Sequence, residues 1–316
     1  AGPSAVAFLD RLIANRVPRK IGSIVLTHLL NRRGRIEIEL TVVRLTDDCF
    51  YLVCAAFFEQ RLIDHLNNYL VENDLEIVVR SNEWSAIAVQ GPKSRVVLAA
   101  NTGTELDNSG FRWLTAQSIT VAGYPVWALR ISYTGELGWE LHGPRENMLG
   151  VYDALWASGQ AYDVADYGSF AMNTMRMEKM FKGAGELTNE VTLPEADVMR
   201  FVKMDKDDFV GKAETQNSLK RELRWVCAYL RIESDGVCDG HGGEAVFFEG
   251  NVVGSITSVA YGHRVATVLA FAYIKPYAAR PGTMLQIMIT GSLRSAHVLS
   301  QPAYDPDNVL LQSDAI

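Results

Sequence analysis

The residues of this sequence that are best suited to chemistry gather in one loop between two predicted strands. An aromatic side chain, two carboxylates and two glycines occur together in Ser132-Tyr133-Thr134-Gly135-Glu136-Leu137-Gly138-Trp139-Glu140-Leu141, which we call the signature loop. Glycine permits positive φ and close approach of other groups, and a carboxylate can accept paired hydrogen bonds from an amidine-like edge, as pterins and guanines present. Tyr133 and Glu140 are therefore candidate binding residues. In the alternative interpretation, Glu136 and Glu140 are solvated carboxylates of an ordinary hairpin.

Two further carboxylates, Glu37 and Glu39, lie in a strand predicted over residues 35–45. Because side chains alternate along a strand, both acids project from one face and the apolar residues between them from the other. Two like charges on a half-buried sheet cost free energy unless one of them is exposed or has a function. The pair is thus either part of a solvated sheet face or part of a site.

Arg176 is a third candidate, in the segment Met175-Arg176-Met177-Glu178-Lys179 of a predicted helix. Its apolar neighbours indicate a partly buried setting, where an arginine normally has a carboxylate partner. Pairing with such a carboxylate and contact with a ligand are both compatible with this pattern.

The spacing of cysteines and histidines predicts no metal site. The four cysteines form no CxxC pair, and the six histidines form no HxH or HExxH pair. We interpret Cys238-Asp239-Gly240-His241 as a turn rather than a metal site because of its glycine-rich context. The sequence also contains no GxGxxG motif and no Walker loop.

The overall composition is typical of a folded protein with two domains. The 316 residues carry 30 lysines and arginines against 37 acidic residues, a formal net charge of −7, and 48% of them are hydrophobic. This balance argues against a nucleic-acid-binding surface, which needs a basic face, and no apolar run approaches the ~20 residues of a membrane helix. The first residues show no signal-peptide pattern. We expect a soluble protein of the cytoplasm, or of the mitochondrial matrix if a presequence has been removed.

Helices and strands in mixed order must position these candidates. Hydrophobic periodicity predicts an initial helix, then strands at 23–30, 35–45, 49–54, 76–79, 85–90, 126–133 and 139–142, and helices at 58–70, from 91 onwards, and at 148–158 and 167–180. Since the order does not repeat as βαβ units, we expect an α+β fold with antiparallel sheets.

Beyond residue 221 the pattern changes to short strands. Strand-like runs separated by glycine-containing turns occur at 223–232, 244–248, 251–258, 265–273, 284–289 and 295–299. Their number and spacing predict a small β-barrel or sandwich. We place the boundary within residues 216–222, which gives domains 1–218 and 219–316.

The signature loop resembles the folate-site signature of the aminomethyltransferase (glycine cleavage T-protein) superfamily. The sequence is most similar to the folate domain at the C-terminal end of dimethylglycine and sarcosine dehydrogenases, a branch that Tyr261-Gly262-His263 favours. Supporting blocks lie at 24–31, 175–179, 202–206, 208–212 and 258–263. The resemblance implies a folate-binding α+β domain, without the opening segment of the family, followed by a small β-barrel. Tetrahydrofolate would lie between the two.

The resemblance also implies roles for four residues. Glu140 would take the pterin edge through its two oxygens, Tyr133 would line the folate pocket, and Arg176 would help to position the cofactor or an internal carboxylate. In relatives, a carboxylate at the position of Glu39 lies beside the reacting folate nitrogens, where it assists electrostatically and by proton transfer. Family members usually have Asp at this position, so the resemblance supports binding more strongly than catalysis.

Tetrahydrofolate-dependent one-carbon transfer is the function that this resemblance implies. The domain would accept a methylene unit from demethylation of an N-methylated amine and yield 5,10-methylenetetrahydrofolate. FAD is expected only if a separate domain or partner chain supplies it, so the expected partners are a methylated small-molecule donor and a flavoprotein domain or subunit. Two alternatives stay open: methyl transfer from an S-, O- or N-methyl donor to tetrahydrofolate, and a non-catalytic folate-binding module.

Overall fold

The computed structural model describes residues 1–234, 236 and 240–314. Its first part combines helices with two sheets, and its second part consists mainly of strands. The helices are α1 (Ala5–Leu12), α2 (Glu59–Tyr69), α3 (Ser94–Ala99), α4 (Arg145–Gly159), α5 (Ser169–Glu178) and α6 (Lys212–Leu219). The strands are β1 (Ile24–Leu30), β2 (Ile36–Arg44), β3 (Phe50–Val53), β4 (Trp84–Gln90), β5 (Ala116–Val121), β6 (Tyr124–Leu129), β7 (Gly138–Pro144), β8 (Val226–Ile232), β9 (Ala245–Phe248), β10 (Asn251–Gly262), β11 (Thr267–Ile274), β12 (Met284–Ile289) and β13 (Ser292–Leu299).

The first sheet has the strand order β1-β2-β3 with antiparallel pairing. The turn between β1 and β2 forms because Gly34 takes a φ of 69° and the Asn31 side chain accepts hydrogen bonds from two backbone amides of the turn. Alternation along β2 buries Ile38, Leu40 and Val42 in a core with residues of α1 and α2, and Ile36 in a neighbouring core. Glu37 and Glu39 therefore project from the opposite face, as their spacing predicts.

The second sheet has the order β4-β7-β6-β5, again antiparallel. Residues of α3 and α4 pack on one face, where Trp139 and Leu141 of β7 are completely buried. Because side chains alternate along the strand, Glu140 and His142 project from the other face. That face meets the first sheet, since His142 contacts Tyr51 of β3.

The second part is a closed barrel of six strands in the order β10-β11-β8-β13-β12-β9. Its interior is filled by aliphatic side chains from every strand, among them Leu230, Val246 and Ile287. A six-stranded barrel is narrow enough for such side chains to fill. The predicted α+β architecture with a C-terminal β-barrel is thereby confirmed.

Residues after β13 return to the first part of the chain. The Lys179 ammonium donates hydrogen bonds to the backbone oxygen and the carboxylate of Asp305, at 2.5 and 3.1 Å. The Tyr304 backbone amide donates to the Glu178 carbonyl at 3.0 Å. The barrel and the α+β part are thus tied together by a segment outside the barrel strands, while the domain boundary at 216–222 stays a prediction.

The prediction of a strand at 76–79 is wrong. Glu76 exchanges two backbone hydrogen bonds with Ala1, each 2.8 Å long, which is pairing with one residue rather than with a strand. Val78 and Val79 are exposed, so their β-branched side chains do not contribute to a core. Apolar composition alone therefore misled the prediction, because no neighbouring strand lies beside this segment among the described residues.

Two predictions next to the signature loop also need correction. The strand predicted at 126–133 ends at Leu129, since the chain leaves the sheet to enter the loop. The strand β5, which pairs with β6 along its whole length and forms the edge of the sheet, was not predicted. The signature loop therefore begins further from the sheet than the periodicity indicates.

Candidate functional site

Glu39 and His28 form one end of the candidate site, on the face of the first sheet opposite α1 and α2. They are direct partners in the register of β2 and β1, so their side chains lie side by side. His28 is completely buried, whereas 31% of the Glu39 side chain is exposed, and 3.7 Å separates Glu39 Oε1 from His28 Nε2. This distance is too long for a hydrogen bond. Neither ring nitrogen of His28 has a hydrogen-bond partner among the described residues.

Burial controls the protonation of both groups. Loss of hydration raises the pKa of Glu39 to about 7, although the positive charges of Arg200 and Lys182 oppose this shift. Burial lowers the pKa of His28 to about 3, and the charge of Lys182 adds to the effect. Near neutral pH, Glu39 can therefore take up or release a proton beside an uncharged imidazole.

Tyr133, at the start of the signature loop, lies in the same electrostatic environment. Its hydroxyl donates to the backbone oxygen of Lys182 at 3.2 Å. Its ring is nearly parallel to that of Phe181, with 6.4 Å between the centroids. Burial raises the pKa of Tyr133 to about 12, the charge of Arg176 opposes this shift, and the charge of Glu39 contributes to it. The structure thus brings two of the predicted site residues, Tyr133 and Glu39, close enough to influence each other.

The signature loop is shaped by one glycine and one threonine. Gly135 has a φ of 78°, and a Cβ atom added there would lie 2.0 Å from the Cγ atom of Lys179. The Thr134 hydroxyl donates to the side-chain oxygen of Gln90, at the end of β4, at 2.6 Å. Close packing and left-handed backbone therefore both require glycine at position 135.

Glu140, near the end of the signature loop, lies on β7 and is held by a neighbouring histidine. Glu140 Oε2 is 3.2 Å from His142 Nε2, and His142 Nδ1 is 3.1 Å from the Tyr51 hydroxyl. About a quarter of the Glu140 side chain, 24%, remains exposed. Its carboxylate is therefore oriented by the protein and still accessible to a ligand.

Glu136, the other carboxylate of the loop, has a structural partner. It forms an ion pair with Arg264 of the second part, with 3.1 Å between Glu136 Oε1 and the guanidinium. Only 12% of its side chain is exposed. The interpretation in which both loop carboxylates are freely solvated is therefore wrong, and Glu136 instead helps to join the loop to the segment between β10 and β11.

Arg176 pairs with a buried carboxylate. One guanidinium nitrogen lies 2.9 Å from Glu186 Oε2, and Glu186 is completely buried. The other oxygen of Glu186 accepts hydrogen bonds from the hydroxyls of Thr257 and Ser258 in β10, at 2.6 and 2.5 Å. The structure thus places an internal carboxylate beside Arg176, and this pair connects α5 to the barrel.

Packed residues connect the region of Glu39 in the first sheet to the region of Glu140 in the second sheet. Glu39 and Val43 project from the same face of β2, and Val43 is directly opposite Tyr51 in β3. Four residues of a strand span about 13 Å. Tyr51 in turn contacts His142, the neighbour of Glu140. Val43 and Tyr51 also belong to one apolar cluster between the sheets, so the two carboxylates lie in regions that these packed residues connect.

Four polar residues of this region were not found from the sequence. His28 could have been found from the register of the predicted hairpin, which places it opposite Glu39, and His142 from its spacing of two residues from Glu140. Lys182 and Glu186 follow α5 in a segment without regular secondary structure. Such a segment has no periodicity, so no sequence signal places these two side chains.

Other parts of the molecule contain cavities that do not include the predicted site residues. One, of about 700 Å³, lies beside Ile232, Val265 and Leu299, and another, of about 650 Å³, lies between β4 and α4. Among the described residues, no group of three or more His, Cys, Asp or Glu side chains could hold a metal ion. Cys238 and Asp239, considered above as part of a metal cluster, lie outside the described residues. No helix in the described part of the chain has both the length and the apolar character needed to cross a membrane.

Two known protein families together match most of this chain. Residues 1–206 match the family described as the GCVT N-terminal domain. Residues 226–305 match the glycine cleavage T-protein C-terminal barrel domain. The crystal structure of the glycine cleavage system aminomethyltransferase T from Bartonella henselae has the same fold, with a TM-score of 0.85, 23% sequence identity, and coverage of 96% of this chain and 82% of that one.

Two curated relatives differ in how much of their own length this chain covers. It is 34% identical over 305 residues to the mitochondrial dimethylglycine dehydrogenase of Homo sapiens, covering 95% of this chain and 35% of that protein. It is 31% identical over 308 residues to the aminomethyltransferase of Streptomyces coelicolor, covering 96% of this chain and 82% of that protein. The chain thus spans about a third of the dehydrogenase. These matches confirm the predicted resemblance and the prediction of an enzyme of aminomethyltransferase type, and the chain belongs to the glycine cleavage T-protein (aminomethyltransferase) family.

Proposed function

We propose that this chain transfers a one-carbon unit to tetrahydrofolate and yields 5,10-methylenetetrahydrofolate. The observation that carries the proposal is the presence of two carboxylates with different environments, one on each sheet, in regions that Tyr51 and His142 connect. Glu39 has a pKa of about 7, and Glu140 is hydrogen-bonded and accessible. A proton-exchanging carboxylate on one sheet and a binding carboxylate on the other suit a reaction in which a nitrogen nucleophile must lose a proton.

The side chains of the candidate site fit tetrahydrofolate in their chemistry. The accessible carboxylate of Glu140 can accept two hydrogen bonds from the amidine-like edge of a pterin. The rings of Tyr133 and Phe181 supply an aromatic surface. The two ring nitrogens of His28, which are buried and lack partners among the described residues, are polar atoms that a ligand could satisfy.

Each of these residues has a defined part in the proposal. Glu140 binds and orients the pterin, and Tyr133 lines the site beside it. Arg176 acts through Glu186, because their ion pair fixes the connection between α5 and the barrel. When bound, tetrahydrofolate supplies the nitrogen nucleophiles that take up the one-carbon unit.

Glu39 is the proposed proton acceptor and donor. A group whose pKa lies near the working pH is the most effective general acid or base, and burial gives Glu39 such a pKa. Its carboxylate also places negative charge where positive charge develops on the reacting carbon. The completely buried His28 behind it keeps water away from one side of the carboxylate.

The longer relatives support a proposal for the source of the one-carbon unit. We infer that the donor is an N-methylated amine, since dimethylglycine and sarcosine dehydrogenases share this domain. Oxidation of such an amine needs an electron acceptor, so a flavoprotein domain or subunit carrying FAD is the proposed partner. Direct methyl transfer from an S-, O- or N-methyl donor is the alternative reaction. A folate-binding module without catalysis is the other alternative, because the resemblance implies an Asp at the position of Glu39.

The proposal is tested first by calorimetric titration with tetrahydrofolate under anaerobic conditions. We expect the wild-type chain to bind with a micromolar dissociation constant and Glu140→Gln to bind more weakly. Glu222→Gln is the matched control, because Glu222 is exposed and lies outside the candidate site. Absence of binding by the wild type would overturn the proposed function.

Product formation separates the alternatives. With formaldehyde as donor, we expect the wild type to form 5,10-methylenetetrahydrofolate faster than the uncatalysed reaction, and Glu39→Gln to lose this acceleration. Binding without acceleration by the wild type would identify a binding module. Formation of 5-methyltetrahydrofolate from a methyl donor, with no effect on formaldehyde, would identify a methyltransferase.

A further inference from the structure

Tyr51, His142 and Glu140 form a chain of hydrogen bonds that joins the two sheets. The Tyr51 hydroxyl lies 3.1 Å from His142 Nδ1, and His142 Nε2 lies 3.2 Å from Glu140 Oε2. Tyr51 belongs to β3, and the other two residues project from one face of β7. Both nitrogens of one buried imidazole are therefore engaged, one by each sheet.

The chemistry of the carboxylate sets the direction of these hydrogen bonds. An ionised carboxylate can only accept, so His142 Nε2 carries the hydrogen and donates to Glu140. In the neutral imidazole that carries its hydrogen on Nε2, Nδ1 is an acceptor to which the Tyr51 hydroxyl can donate. Burial raises the pKa of Tyr51 to about 12, and the negative charge of Glu140 contributes, so the phenol keeps its proton.

Packing holds the imidazole in this position. His142 is only 4% exposed, and its ring meets the Tyr51 ring edge to face, with 5.6 Å between centroids and 81° between planes. The Tyr51 ring also contacts Trp84, at 5.5 Å between centroids. His142 is paired in register with residues on both sides, Ala86 of β4 and Trp127 of β6. The donor to Glu140 therefore has little freedom to move.

A carboxylate that the protein already holds in place binds a rigid pair of donors more tightly than a mobile carboxylate does. A glutamate side chain loses rotamer entropy when a ligand orders it, and a preorganised site has already met this cost. His142 contacts Oε2 of Glu140, and each carboxylate oxygen has more than one acceptor position. Ligand donors can therefore use Oε1 and the remaining positions while His142 stays bonded.

We propose that His142 and Tyr51 are positioning residues that hold the Glu140 carboxylate ready for the amidine-like edge of a pterin. Pterin affinity would then depend on an imidazole behind the binding carboxylate and on its tautomer. This inference rests on the proposed function, since it assumes that Glu140 binds the pterin. It adds two residues, one from each sheet, to the determinants of folate affinity.

Four variants of the full chain separate positioning from folding. His142→Gln keeps an N–H donor near the place of Nε2, whereas His142→Phe keeps the ring shape and loses both polar atoms. Tyr51→Phe removes the donor that selects the tautomer. The double variant Tyr51→Phe/His142→Phe removes the hydroxyl that the single histidine variant would leave unpaired.

Anaerobic titration with tetrahydrofolate and chemical denaturation are measured for each variant. We expect affinity to fall about tenfold in His142→Phe and about threefold in Tyr51→Phe, and to stay within about twofold of wild type in His142→Gln, from the usual strength of one hydrogen bond. The double variant should regain stability relative to His142→Phe without regaining affinity. Wild-type affinity in a folded His142→Phe, or recovery of affinity in the double variant, would overturn the inference.

Failure of the inference and failure of the proposed function give different results. If Glu140→Gln weakens binding and His142→Phe does not, only the positioning role is wrong. If the wild type does not bind tetrahydrofolate, the proposed function is wrong. The hydrogen-bond chain is then judged by ¹⁵N chemical shifts of the imidazole, which should report Nε2–H in the wild type and a changed tautomer mixture in Tyr51→Phe. A wild-type imidazole protonated at Nδ1 would overturn it.

Discussion

The candidate site contains two glutamate–histidine pairs that the structure uses in opposite ways. At one end, 3.7 Å separates Glu39 from His28, whose ring nitrogens have no hydrogen-bond partner among the described residues. At the other end, Glu140 is hydrogen-bonded to His142 at 3.2 Å, and His142 is bonded in turn to Tyr51. A pair without a hydrogen bond leaves the carboxylate free to change its protonation. The hydrogen bond with His142 orients the Glu140 carboxylate.

This difference has a physical origin in the surroundings of the two pairs. His28 is completely buried and has no donor such as Tyr51 beside it among the described side chains. Burial without compensating hydrogen bonds raises the pKa of the Glu39 carboxyl. In the proposed function, the same residue types therefore serve proton exchange at one end of the site and ligand binding at the other.

The largest expected effect is on the rate of one-carbon transfer in Glu39→Gln. We expect a decrease of about 10² to 10⁴-fold, the usual contribution of a general acid or base, with tetrahydrofolate affinity little changed. Steady-state rates with formaldehyde and calorimetric affinities measure the two quantities separately. Glu37→Gln is the matched control, because Glu37 projects from the same strand face and pairs with Asn31. A similar rate loss in both variants would remove the special role of Glu39.

Glu140→Gln should lower tetrahydrofolate affinity more than the rate of transfer, which is the reverse of the result expected for Glu39→Gln. Loss of a charge-assisted hydrogen bond is expected to weaken tetrahydrofolate binding by about 1.5–3 kcal/mol. At saturating tetrahydrofolate, the rate of transfer should change much less than in Glu39→Gln. Equal affinity of Glu140→Gln and the wild type in an anaerobic titration would contradict the pterin assignment.

The stability of the chain should depend on pH through Glu39. Because the folded-state pKa is raised to about 7, folding favours the protonated carboxyl, and its contribution is lost as pH rises from about 4.5 through 7. Glu39→Gln should therefore gain stability over the wild type with rising pH, by about 1–2 kcal/mol at pH 8 once solvent screening is included. Urea denaturation at pH 5 and pH 8 measures this difference. A constant difference between the two pH values would show that Glu39 titrates normally.

The stability of His28→Leu relative to the wild type should increase as the pH falls, whereas that of Glu39→Gln increases as the pH rises. The pKa of His28 is lowered to about 3, so folding favours the neutral ring and the wild type loses stability as pH falls below about 6.5. We expect the variant to gain about 1 kcal/mol relative to wild type between pH 7.5 and pH 5.5. Denaturation curves of both proteins at the two pH values measure this stability difference. The same difference at both pH values would mean that the His28 imidazole becomes charged in the folded protein without a loss of stability.

The smallest expected effects on stability and affinity are those of Glu136→Gln, and they distinguish Glu136 from Glu140 in the signature loop. Glu136→Gln breaks the ion pair with Arg264, whose side chain is half exposed, so we expect a loss of stability of at most about 1 kcal/mol. Tetrahydrofolate affinity should stay within about twofold of wild type, in contrast to Glu140→Gln. A large loss of affinity in Glu136→Gln would mean that the loop binds the ligand through both carboxylates.

Local patterns in the chain were enough to predict most elements of this fold. The alternation of acidic and apolar residues in β2 correctly placed Glu39 on the face away from α1 and α2. The six strands of the barrel were predicted because each is short and is bounded by turn residues. The strand at 76–79 was predicted wrongly, because local composition does not report whether a neighbouring strand is available.

Contacts between distant residues required the tertiary structure. Tyr51 and His142 are 91 positions apart, and Glu136 and Arg264 are 128 positions apart. The sequence indicated that Arg176 would have a carboxylate partner, and only folding showed that this partner is Glu186.

By itself, the sequence determined the family, the fold class and which carboxylates were worth examining. Residue type and spacing carry this information because they act over a few positions along one strand or loop. The tertiary structure decided which histidine is bonded to its glutamate and which is not. That difference depends on burial and on partners from other elements, and these exist only after the two sheets and the barrel have packed together.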